Sequence, residues 1–153
     1  MRIAICCAIG ALLLTATAAP AAANKKSWNF MTAGDERLLV YGVPDFRTLS
    51  FICDTKKKSV EVVSTMLPAG MKAGRDAGKI KLRAGTASLE YAGMTGGNPD
   101  MGFHLSATTP IDARMFDLLG NGTAVRIEAL GAKASVTLSG IKKPLAQMRE
   151  ACR

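Results

Sequence analysis

His104 is the single histidine of this chain, so any nucleophile that needs an imidazole base must find it. No G-x-S-x-G stands in the sequence to lift a serine onto a strained turn, and no local motif joins His104 to a serine and a carboxylate. Asp112 and Asp117 share a stretch of helical pattern but sit five residues apart, where side chains do not face each other. Glu90 and Glu128 fall singly on outward strand positions. Paired acid and base work therefore has no support. Met94, Met101 and His104 flank a glycine-rich stretch, and thioethers with an imidazole suit Cu(I). The same residues read more simply as methionines packing a loop. "GMTGGNPDMG", 93–102, is no phosphate cradle, because no lysine follows it and Pro99 lacks an N–H. The expectation is a protein that is not an enzyme, with no metal and no cofactor.

Cations offer more. Lys79, Lys81 and Arg83 alternate along one strand, with Lys72 and Arg75 just before them and Lys56, Lys57 and Lys58 in another turn. Three charges at period two cannot point into a core. They form either a solvated face that also blunts an edge strand or an anion-binding surface. The formal net charge is +8, which fits anionic lipid headgroups, cell-wall polymers or acidic proteins. Aromatics do not interleave with the cations, so no base-stacking platform for nucleic acid is expected.

The compartment follows from the ends. "MRIAICCAIGALLLTATAAPAAA", 1–23, has a positive start, a short apolar run and small residues before Asn24. That is the pattern of a cleaved secretory signal. The apolar run is short for a membrane span, which needs about 20 residues. Cys6 and Cys7 leave with the signal. Cys53 and Cys152 remain, and two cysteines in an exported chain suggest one disulfide. Residues 24–153 are expected to form a single disulfide-bridged β-rich domain, periplasmic or secreted, with no transmembrane span after signal cleavage.

The positioning elements read as follows. "KSWNFMTAG" and "RLLVYGV" are strands, the first with Trp28 and Phe30 on one face. "TLSFICD", 48–54, alternates and turns through "TKKK" into "SVEVVSTML", 59–67. "KIKLRAG", 79–85, and "TASLEYAG", 86–93, form a hairpin at Gly85. "MTGGNPD", 94–100, reads as a loop and "MGFHLSA", 101–107, as a strand with His104 opposite Phe103 and Leu105. "TTPIDARMFDLLGNG", 108–122, reads as a helix capped by Thr109, with Pro110 first and Ile111, Met115, Leu118 and Leu119 on the buried face. Strands at 123–130 and 133–139 follow. A last helix starts near 141 and puts Ile141, Leu145, Met148 and Cys152 on one apolar face, which ties a fraying end to the first half of the chain. The expected fold is mainly β: an antiparallel β-sandwich or partly open barrel of about nine strands with two short helices.

"MFDLLGNGTAVRIEALGAKASVTLSGIKKPLAQMREAC", 115–152, resembles the end of small exported bacterial proteins. A short helix, a strand hairpin and then Leu138, Gly140, Ile141, Leu145, Met148 and Cys152 carry the resemblance. With the earlier cysteine in "LSFICD", it is similar to the type VI secretion-associated periplasmic family over residues 48–67 and 112–153. Residues 68–107 depart from that pattern. The resemblance implies a fold and a compartment, and it carries over no catalytic residue. Together these readings lead to an exported non-enzymatic binding or accessory protein of the bacterial envelope, acting through an envelope protein partner. The second reading is a binder of anionic envelope polymers or lipids through Lys79, Lys81 and Arg83.

Overall fold

In the computed structural model, residues 25–43, 46–69, 76–98 and 102–153 are described. Residues 1–24, which include the expected signal segment, and Lys72, Arg75 and Met101 lie outside them. The strands are β1 (Ser27–Ala33), β2 (Glu36–Val43), β3 (Phe46–Asp54), β4 (Ser59–Ser64), β5 (Ala77–Ala84), β6 (Ala87–Asn98), β7 (Gly102–Pro110), β8 (Ala124–Ala129) and β9 (Ala132–Thr137). Helices α1 (Ala113–Gly120) and α2 (Lys142–Ala151) complete the order. The nine strands make one antiparallel sheet in the order β1-β2-β3-β4-β7-β6-β5-β8-β9.

There is one curled sheet, not two stacked ones. No backbone ladder joins β9 to β1. The two edges still approach at one point, where Trp28 Nε1 donates to the Thr137 carbonyl at 2.6 Å. Of the two architectures expected, the partly open barrel describes the chain.

Alternation decides which face is inside. Leu49, Phe51 and Cys53 of β3, Val60 and Val62 of β4, Ile80 and Leu82 of β5, and Val125 and Ile127 of β8 are buried in one core cluster. Both helices pack on that inner face. α1 buries Met115, Phe116, Leu118 and Leu119. α2 adds Leu145 and Met148, with Ile141 and Cys152 at its two ends. Each such side chain contributes about 1.5–3 kcal/mol on burial. The Cys53–Cys152 disulfide then joins the inner face of β3 to the end of α2, across 99 residues of chain.

Strand ends shift by one or two residues in β3, β5 and β9, and three differences from the sequence reading are larger. First, β6 runs on through Met94–Asn98, where a loop was expected. Its glycines serve close strand pairing. A Cβ on Gly93 would lie 2.0 Å from the Ser106 carbonyl oxygen, and one on Gly97 (φ +96°) 2.1 Å from that of Gly102. Second, Thr109 and Pro110 do not open α1. They stay extended because β4 holds them, with Val60 opposite Thr109 and Ser59 opposite Pro110. Asp112 caps the helix, its side chain accepting from Arg114 N at 2.8 Å. Third, β4 ends at Ser64, short of the expected Leu67.

Candidate anion-binding face

The outer face of β5 carries Lys79, Lys81 and Arg83, because Ile80, Leu82 and Ala84 occupy the core. The alternation thus places these three cations together as expected. Edge protection does not account for them, since β5 lies inside the sheet between β6 and β8. The edges are β1 and β9.

Cross-strand pairing sorts the charges into rows. One row reads Glu90–Lys81–Glu128–Lys133 across β6, β5, β8 and β9. Its signs alternate, as cross-strand stabilisation favours. Glu90 Oε1 also accepts from Lys79 Nζ at 2.7 Å, and Glu90 Oε2 lies 3.6 Å from Lys81 Nζ. The Lys79 ammonium holds the Glu90 carboxyl below the usual carboxylate range, and Glu90 in turn raises Lys79. Glu90, expected to be isolated, is the counter-charge of two of the three cations.

The next row reads Ser88–Arg83–Arg126–Ser135. Two arginines stand directly opposite each other on neighbouring strands, about 4.8 Å apart in the sheet. Like charges so placed are destabilising. No carboxylate belongs to this row, and among the described residues neither arginine enters an ion pair. The carboxylates flanking and within α1 are engaged elsewhere: Asp112 with Arg114, and Asp117 with Arg149 at 2.9 Å. Lys56 and Lys57 are likewise paired, with Asp35 and Asp54. A groove of about 340 Å³ lies over Arg83, Arg126 and Ser135, bounded by Lys81, Glu128 and Lys133.

Sequence reasoning missed Arg126, Lys133, Ser88 and Ser135. Their alternation in "TAVRIEAL", "KASVTLS" and "TASLEYAG" marks them as outward. Only the pairing of β5 with β8 brings Arg126 to Arg83.

The remaining candidates do not converge on a reaction centre. The His104 ring lies against Gly96, where a Cβ would come 2.9 Å from Nε2. Met94, paired with Ser106, shares that outer face and is 46% exposed. Among the described residues no group of three or more His, Cys, Asp or Glu is arranged to hold a metal ion. No helix among them is long and apolar enough to cross a membrane. The chain matches no family model, no curated protein and no solved structure.

Proposed function

We propose that this chain is a non-enzymatic binding protein of the bacterial envelope, and that the outer face of β5, β8 and β9 takes an anionic envelope polymer or lipid headgroup. One observation carries the reading: Arg83 faces Arg126 on interior strands with no counter-charge in its row. An external anion removes that repulsion. The Cys53–Cys152 disulfide supports a periplasmic or secreted location, since such bonds persist in oxidising compartments.

Binding to vesicles and cell-wall polymers of graded negative charge tests the proposal. Retention should weaken steeply as salt rises from about 0.1 M to 1 M, where the Debye length falls from about 10 Å to 3 Å. It should vanish in the R83E/R126E double variant. A single envelope protein retained at high salt, unaffected by that variant, would favour the protein-partner reading and overturn this one.

A further inference from the structure

The proposed anion-binding face has a chemical preference that its net charge alone does not convey. We infer that Arg83 and Arg126, with Ser135 beside them in the groove, form a seat for one phosphomonoester dianion. This rests on the reading of the face given above.

All four side chains project from the outer face, because their strand neighbours Leu89, Leu82, Ile127 and Val136 pack inward. Arg83, Arg126, Ser88 and Ser135 are all exposed, so a ligand reaches them without any opening of the fold. Each guanidinium is a rigid planar fork that matches two phosphate oxygens at once. Arg83 and Arg126 stand on adjacent strands, about 4.8 Å apart, close enough for both forks to take one tetrahedral group, and the Ser135 hydroxyl lines the same groove while Ser88 stands beyond Arg83 outside it. A phosphomonoester presents three terminal oxygens and close to two negative charges, one for each arginine. A phosphodiester presents two such oxygens and one charge. A carboxylate is planar and fills one fork. The donor set therefore matches the monoester best.

The neighbouring row limits the seat to one anion. In that row Glu90 and Glu128 balance Lys81 and Lys133, so it adds no net attraction for a second anion. The groove of about 340 Å³ has the size of a small-ligand site, for which about 300–1,000 Å³ is usual. The seat thus fits a phosphate carried on a headgroup or sugar, and is not a continuous track for a polyanion.

The test is calorimetry on the full oxidised chain with methyl phosphate, dimethyl phosphate and acetate at fixed ionic strength. Cosedimentation with vesicles containing either phosphatidic acid (a monoester) or phosphatidylglycerol (a diester) runs beside it. Methyl phosphate should bind about tenfold more tightly than dimethyl phosphate, the scale of one charged hydrogen-bonding interaction. Its binding should weaken as pH falls through about 6, where the monoester takes up its second proton. R83Q and R126Q should each lose about tenfold or more, while K133Q stays within about threefold. Thermal unfolding separates lost binding from lost folding. Without ligand, R83Q should melt no lower than the wild type, because it relieves a like-charge pair. Methyl phosphate should raise the melting temperatures of the wild type and K133Q, and leave those of R83Q and R126Q nearly unchanged.

Discrimination on vesicles as well as in solution assigns a lipid headgroup; discrimination in solution alone assigns a soluble or polymer-borne phosphomonoester. Both support the seat. Equal binding of monoester and diester, lost equally with any lysine or arginine, overturns the seat while the anion-binding face stands. No binding to any anion or charged vesicle overturns both.

Discussion

Replacing Cys53 and Cys152 together by alanine should cost this protein several kcal/mol, nearly all through the unfolded state. The bond spans 99 residues. The chain-entropy relation assigns a loop of that size about 4.7 kcal/mol at 25 °C. The folded state loses little, because both positions are buried and alanine leaves only small gaps at the end of α2. Domains of this kind have about 5–15 kcal/mol in total, so one bond supplies a large share. With a urea slope of about 2 kcal/mol/M, the midpoint should fall by about 2 M in the double variant or under reductant. The assay is urea unfolding followed by Trp28 fluorescence, because Trp28 sits at the seam beside α2 with its ring centroid 5.2 Å from that of Tyr41. Amide exchange of Leu145–Cys152 should accelerate ahead of the β3 core, since the bridge restrains a terminal segment that would otherwise fray. A midpoint shift below about 0.5 M would refute the reasoning, as it corresponds to about 1 kcal/mol and leaves the loop term unaccounted for. Alkylation of both Cys53 and Cys152 in protein purified without reductant would refute the bond itself.

G93A should destabilise by about 2 kcal/mol or more, because its Cβ meets the Ser106 carbonyl oxygen at 2.0 Å and the backbone must move. G120A, whose Cβ finds only Leu145 Cδ2 at 3.8 Å, should be neutral or stabilising by up to about 1 kcal/mol; thermal melts of the pair check both. D112A should cost about 1 kcal/mol through the lost cap of α1, and D112N should restore most of it. Arg114 holds the Asp112 carboxyl below its usual range, so that carboxylate's contribution is present above about pH 4 and is lost as pH falls through the lowered value. Burial, with the Asp112 charge adding, pushes the Tyr91 phenol up to about 12, and its hydroxyl has no hydrogen-bond partner. The unfolded phenol ionises near 10, so stability contributed by neutral Tyr91 is intact below pH 10 and falls between about 10 and 12, by roughly 2–3 kcal/mol. Phenolate absorbance in a Y41F background, read beside alkaline unfolding curves, checks this; ionisation of Tyr91 in the folded protein near pH 10 would contradict it.

Local patterning in this chain was strong enough to read most strands directly. Period-two alternation in "TLSFICD" and "KIKLRAG" specified which side chains face inward, because a one-residue slip would bury lysines. The 4-3-4 spacing of Ile141, Leu145, Met148 and Cys152 placed the last cysteine on an apolar helix face, and its pairing with Cys53 was expected because these are the two cysteines outside the expected signal segment. Three things depended on tertiary structure. The glycines of β6 look like a loop in isolation, and only the close approach of β7 shows why no side chain fits there. Thr109 and Pro110 carry helix-start signals, yet β4 offers them backbone partners first. The arginine row is the clearest case. Arg83 and Arg126 each alternate outward in their own strands, but β5 pairs with β8 across the whole of β6, β7 and α1. Hydropathy records which face a residue takes; it does not record which strand lies next to it. That choice is made by packing of the inner faces over a common core, and it sets two like charges side by side where an anion can join them.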